Sequence, residues 1–154
     1  MRISSPAFAN GDFIPPKYTC DGKDVNPELH FDAVPAAAKS IVLLVDDPDS
    51  PSGNWLHWSL WNVPPSTRMI REDSVPQGAF EGETDFSEIG WGGPCPGSGE
   101  HEYRFIAYAL DVTLNLPHGS VRIAIEQAMA GHVISTSTLV GRYQRIKMRT
   151  VAHA

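Results

Sequence analysis

The sequence predicts a mainly β fold, an antiparallel β-sandwich with a helix packed outside it. Three observations lead there. A short β-branched run, Ile41-Val42-Leu43-Leu44-Val45, is bounded on both sides by turn residues. Glycine and proline number 13 each among 154 residues, and proline exceeds its usual share of about 5%, so the chain turns often. Only one stretch, ending at Gly131, carries a convincing helical period.

The elements follow in order. Asn26-Pro27 leads into a short strand over Glu28 to Phe31. Ser40 to Val45 is a buried strand, because its length and β-branched content favour strand over helix. Asp46-Asp47-Pro48 turns the chain, and the aromatic-rich strand Leu56 to Val63 runs until Pro64-Pro65. Residues 64–102 read mostly as loop, a long irregular stretch of the kind that often carries function. Tyr103 to Leu110 is the next strand. The helix takes Ser120 as its N-cap, and Val121, Ala124, Ile125, Ala128 and Met129 share one face. Gly131 suits its C-terminal end. Val133 to Val140 fits either helix or strand. Tyr143 to Arg149 reads as a last strand with Tyr143, Arg145, Lys147 and Arg149 on one face. A solvated face explains those basic residues better than an anion patch. No repeat or linker divides the chain, so residues 1–154 form a single domain long enough for a sizeable core.

Charge and composition exclude several functions. A net charge of −6 argues against nucleic acid and against adsorption to anionic membranes. No apolar run reaches the ~18 residues of a transmembrane span. Met1-Arg2-Ile3-Ser4-Ser5-Pro6 has no apolar signal-peptide core, which gives a cytoplasmic location. Cys20 and Cys95 lack the C-x-x-C spacing of a zinc or redox motif. They read as two reduced thiols, with a single long-range bridge between two loops as the alternative.

Two segments carry chemistry. The first is Asp46-Asp47-Pro48-Asp49-Ser50-Pro51, followed by Trp55-Leu56-His57-Trp58. Its prolines stiffen an acidic turn, so carboxylates there are held in position. Strand alternation puts Trp55 and His57 on one side and Leu56 and Trp58 on the other. The second runs from Gly90 through Trp91-Gly92-Gly93-Pro94-Cys95-Pro96-Gly97-Ser98-Gly99 to Glu100-His101-Glu102-Tyr103. Its glycines let the backbone approach a ligand and aim N–H groups at it. The Lys-Ser/Thr ending of a P-loop is missing. His101 and Tyr103 share one face.

In these segments the chain resembles the phosphatidylethanolamine-binding proteins, also called Raf kinase inhibitor proteins, and in particular their bacterial and archaeal branch. The resemblance rests on Asp47-Pro48-Asp49-Ser50-Pro51, Trp55-Leu56-His57-Trp58, and Gly92-Gly93-Pro94-Cys95-Pro96 leading to His101-Glu102-Tyr103-Arg104-Phe105. Tyr18-Thr19-Cys20-Asp21-Gly22 and Gly141-Arg142-Tyr143 support it, and it runs in order from about Ile3 to about Met148. It implies a Greek-key sandwich, one or two peripheral helices, and an anion pocket lined by Asp47, His57 and His101, with Tyr103, Trp55, Pro94 and Pro96 close around it. It further implies phosphate or phospholipid head groups as ligands, a homodimer, and a protease or kinase as the alternative partner. Three positions depart from the family pattern: Gly97 where a second proline is usual, Glu102 where an arginine is usual, and Thr84 where an asparagine is usual. The C-terminal helix of eukaryotic members is not expected here, so kinase regulation is not carried over.

In this reading the imidazoles sit beside Asp47, which raises their pKa values, and charged N–H groups hold the anion. Asp47 orients one imidazole. No cofactor or metal is called for. The rival readings are an enzyme using Asp47, His57 and His101 for acid–base work, a metal site on the same residues, and a protein-interaction module. The enzyme lacks a nucleophile, since no G-x-S-x-G elbow exists and Cys95 lies in a proline-flanked turn. Trp58 and Trp61 are assigned to the core.

Overall fold

In the computed structural model, which describes residues 1–146, strand β1 (Arg2–Ser4) leads to a 3-10 turn at Pro16–Tyr18 and then to β2 (Leu29–Asp32). Next come β3 (Ser40–Asp47), β4 (Trp55–Val63), β5 (Met69–Ile70), β6 (Phe80–Glu81), β7 (His101–Leu110), helix α1 (Arg122–Met129) and β8 (Val133–Tyr143). One sheet has the order β1-β2-β5 and the other β6-β4-β3-β7-β8, with every strand pair antiparallel. This is the mainly β sandwich expected from the sequence.

The apolar run of β3 follows from its place in the middle of the larger sheet. All of its residues are buried. Ile41, Leu43 and Val45 face the space between the sheets, with Leu29, Phe31, Trp58 and Phe105. Val42 and Leu44 face the other way, with Trp61, Leu110 and the α1 residues Ile125 and Met129. A strand covered on both faces has no reason to alternate with polar residues. Each such side chain contributes about 1.5–3 kcal/mol by leaving water.

Several expectations change. The ambiguous Val133–Val140 segment is part of β8, which pairs along β7 from Leu110↔Val133 to His101↔Tyr143. Among the described residues no separate last strand follows Tyr143. The regular pairing stops at Tyr143, whose hydroxyl donates to Asp21 at 2.5 Å, and Arg145 pairs with Asp21 at 3.3 Å. Lys147 and Arg149 lie outside the described residues. Ser120 does not cap α1: its hydroxyl donates back to the Pro117 carbonyl at 2.6 Å, and Val121 takes the N-cap position without a side-chain cap.

Cys20 and Cys95 are joined in a disulfide, with Cα atoms 5.5 Å apart. The reduced-thiol reading is thereby corrected. In the chain-entropy account, closing a 75-residue separation stabilises the fold by about 4 kcal/mol.

The simple alternation in β4 also fails. Val45 pairs with Trp58 and Asp46 with Leu56, so His57 is an extra residue in a bulge. Trp58 therefore joins the core between the sheets, while Leu56 packs on the α1 side. The outer edge of β4 here is served by a loop. The Asp85 carboxylate accepts the Leu56 N–H at 2.6 Å, the Leu56 carbonyl accepts the Asp85 N–H at 3.1 Å, and the His57 carbonyl accepts the Gly92 N–H at 3.0 Å.

Candidate functional site

A pocket of about 260 Å3 opens at the end of the larger sheet where β3, β4 and β7 lie side by side. Its base holds Asp47 from the end of β3, His57 from the β4 bulge, and His101 and Tyr103 from the start of β7. All four are buried. Ser50, Pro51 and Ser52 from the β3–β4 turn line the mouth, together with Trp55, whose ring packs edge-on against Phe86 at 5.6 Å. Phe86, Cys95, Pro96 and Gly97 complete the lining.

Each imidazole is fixed through one nitrogen. The Asp47 carboxylate accepts a hydrogen bond from His101 Nδ1 at 2.6 Å, and its other oxygen accepts the Asp49 N–H at 2.9 Å. His57 Nδ1 lies 2.6 Å from the Gly92 carbonyl. A carbonyl only accepts, so His57 Nδ1 carries a proton. Among the described residues Nε2 of neither ring makes a hydrogen bond, which leaves it for a ligand. Asp47 has both oxygens occupied and works through His101.

The electrostatics differ from expectation at His57. Burial pushes its pKa below the ordinary 6.5, against the opposing pulls of the Gly92 carbonyl and the Asp47 charge. The expectation of a raised value is corrected for this residue: desolvation outweighs the neighbouring carboxylate. Its ring is hemmed in edge-on by Tyr103 at 5.3 Å and Phe86 at 5.1 Å. Burial, then the charge on Asp47, drive the Tyr103 pKa far above its usual 10, so its hydroxyl stays protonated. That hydroxyl is buried against the Asp47 carboxylate and the Cys95 backbone, yet among the described residues it makes no well-formed hydrogen bond to either. Leaving such a group unmade costs about 1–3 kcal/mol.

The preceding aspartate faces elsewhere. Asp46 is fully buried and receives both prongs of Arg104, at 2.8 and 2.9 Å, one from Arg122 at 2.7 Å, and the Asn54 amide at 3.0 Å. Burial opposes its ionisation, but these hydrogen bonds prevail and hold its carboxyl below the usual range.

Of the residues singled out by sequence, Asp47, His57, His101, Tyr103, Trp55 and Pro96 come together at this pocket. Pro94 does not line it. It is buried behind the mouth, and its carbonyl accepts the Cys20 N–H at 3.2 Å. Glu102 is exposed and lies on the opposite side of β7 from His101 and Tyr103. Its acid therefore stays out of the pocket, while its N–H donates to Asp49 at 2.8 Å. Thr84 shapes the turn that presents Phe86, donating to the Glu88 carbonyl at 3.0 Å and accepting the Phe86 N–H at 3.2 Å.

The sequence alone gives no role to Phe86 or Ser52, and none to Ser50 beyond its place in the Asp46–Pro51 motif. Phe86 has no local signal. It is seated by Gly92, where a Cβ would stand 2.6 Å from its ring. The pocket lining holds no lysine or arginine, and among the described residues no three metal-ligating side chains gather.

Comparison with known proteins places the chain in a family. The family model described as phosphatidylethanolamine-binding protein matches residues 4–144. A UPF0098 protein of Pyrococcus abyssi is 48% identical, covering 94% of this chain and 85% of the relative. One from Pyrococcus horikoshii is 46% identical, covering 94% of this chain and 77% of the relative. The crystal structure of a phosphatidylethanolamine-binding protein homologue from Chlamydia trachomatis superposes with a TM-score of 0.90 at 40% identity, over 94% of this chain and 97% of that one. E. coli YbcL superposes with a TM-score of 0.87 at 26% identity, over 94% and 98%. From the match along nearly its whole length, the chain belongs to the phosphatidylethanolamine-binding protein family.

Proposed function

We propose that the pocket binds a phosphate-type anion, free or as a phospholipid head group, by taking up a proton, and that the protein is a binder and not an enzyme. The observation that carries this reading is the pair of imidazoles at the pocket base, each anchored through Nδ1 so that Nε2 is left for a ligand. With no lysine or arginine in the lining, protonation of histidine supplies the positive charge. An arriving anion raises the His57 pKa, and the imidazolium then donates a charge-assisted hydrogen bond. The unpartnered Tyr103 hydroxyl adds a second donor. The family's description, which names a phospholipid, supports the choice of ligand.

Two features support binding over catalysis. Cys95, the thiol nearest the histidines, is consumed in the bridge and is no nucleophile. Asp47 and His101 form an acid–base pair, but no hydroxyl is hydrogen-bonded to His101 among the described residues. The bridge also weighs against the expected cytoplasmic location, since the cytosol of most cells keeps thiols reduced. The homodimer is carried over from the resemblance, and sedimentation equilibrium checks it.

Calorimetric titration with phosphate and phosphoethanolamine, on the wild type and on His57→Ala, tests the reading. Binding that strengthens as pH falls below about 6.5 and is lost in the variant supports it. Affinity flat from about pH 5.5 to 8 removes proton uptake from the mechanism. No binding at all moves the protein-interaction reading, with a protease or kinase target, to first place.

A further inference from the structure

We propose that the Cys20–Cys95 disulfide is a reversible switch on this pocket: oxidised, it holds the Pro96–Gly97 wall in place, and reduced, it releases that wall. The ligand side of this proposal rests on the anion-binding reading; the mechanical side does not.

The two ends of the bridge are held very differently. Cys20 sits in a rigid loop. Thr19 is fully buried and donates to the Pro16 carbonyl at 2.9 Å. A Cβ on Gly22 would lie 2.4 Å from the same carbonyl oxygen, and Asp21 is tied to Tyr143. The glycine-rich segment is stitched onto this loop as far as Pro94. Trp91 Nε1 donates to the Tyr18 carbonyl at 3.3 Å, the Gly93 N–H to Asp24 at 2.8 Å, and the Cys20 N–H to the Pro94 carbonyl at 3.2 Å. Gly93 is pressed so close that a Cβ would meet the Tyr18 carbonyl oxygen at 2.3 Å.

Beyond Pro94 the stitching stops. Among the described residues, Pro96 to Gly99 make no hydrogen bond outside regular strands, and the chain regains partners only at Glu100 and β7. The bridge is therefore the last tether before the wall, and Cys95 itself lines the pocket beside Pro96 and Gly97. Cys95 is exposed, so a reductant reaches it.

The chemistry balances with a dithiol as co-reactant. Its thiolate attacks Cys95 Sγ, the Cys20 sulfur leaves and is protonated, and the second thiol of the reagent closes the reagent's own disulfide while releasing the Cys95 thiol. Two electrons pass from reagent to protein. The wall, hydrogen-bonded among the described residues only up to Pro94 and again from Glu100, and otherwise seated by the buried Pro96, then samples more conformations, and a ligand must order it on binding.

The test uses the whole protein, oxidised and then reduced with dithiothreitol, with Cys20→Ser/Cys95→Ser as the permanently open form. Backbone order parameters at Gly97 and Gly99, from 15N relaxation, are expected to fall from about 0.85 to below about 0.6 on reduction. Amide exchange in β3 and β7 is expected to stay slow. Affinity for inorganic phosphate should drop about tenfold and recover on reoxidation. Unchanged order parameters overturn the switch. Core amides that loosen together with the wall also overturn it, because the bridge is then a staple for the whole fold. Equal phosphate affinity in both states, with a loosened wall, overturns control of binding while leaving the anion pocket intact. If neither state binds phosphate, the anion reading fails by itself and the order parameters alone decide the switch.

Discussion

Asp46 and Asp47 are consecutive in β3, yet their carboxylates serve opposite faces of one sheet. Asp46 ties Arg104 of β7 and Arg122 of α1 to the central strand, while Asp47 sets the ring of His101 in the pocket. Asp46→Ala strands two guanidiniums beside an emptied, fully buried position. The guanidiniums left behind are 37% and 20% exposed, so solvent screens them and the loss is about 2 kcal/mol, below that of a fully buried pair. Urea denaturation of Asp46→Ala should show a loss of that size.

The shifted carboxyl and the shifted imidazole act in different pH windows. Asp46 has a lowered pKa, so its contribution is complete above the ordinary carboxylate range and is lost as pH falls through its folded value. His57 also has a lowered pKa, so below about 6.5 the unfolded chain takes up a proton that the folded chain refuses. Folding stability of the ligand-free protein should therefore begin to decline just below pH 6.5. Urea midpoints against pH should show this first decline in the wild type and not in His57→Asn, while the deeper acid loss persists in both.

Tyr103→Phe separates stability from binding. It removes a buried hydroxyl that has no partner among the described residues. The ligand-free variant should gain about 1 kcal/mol in thermal or urea unfolding. If the hydroxyl is reserved for the ligand, phosphate affinity should fall at the same time, by about tenfold on the scale of one lost hydrogen bond to a charged group.

Gly92→Ala tests the aromatic cover. The added methyl would overlap the Phe86 ring, and that ring is partly exposed and free to swing outward. Water would then reach His57, and the burial that lowers its pKa would weaken. An NMR titration should show the His57 pKa rising towards 6.5 in the variant. An unchanged titration would mean that Phe86 does not shield the ring.

Much of this was readable in the residue order, for identifiable reasons. β3 announces itself because burial on both faces leaves an unbroken apolar run. The buried base of the pocket is legible because Asp47, His57, His101 and Tyr103 fall in two short motifs next to strand starts and turns. The bulge at His57 is not legible, since one surplus residue leaves no local mark and only the pairing with β3 exposes it. Phe86 escapes for a similar reason. It belongs to a stretch without period, and its seat depends on a glycine that meets it only in space. The cap of α1 fails because Ser120 spends its hydroxyl on the turn before the helix. Two cysteines alone could not decide between thiols and a bridge, because loop-to-loop proximity is a property of the finished fold.

The base of the pocket belongs to three strands that are hydrogen-bonded to one another, whereas its mouth is supplied by connecting loops. The consequence is a division of labour in how the protein can change. A replacement at Ser50, Ser52, Phe86 or Gly97 meets solvent or a loop, and can reshape what is admitted without disturbing the sheet. A replacement at Asp47, His57 or His101 is felt by β3, β4 and β7 together. Members of such a lineage can thus diverge in the guests they accept while keeping one way of gripping them.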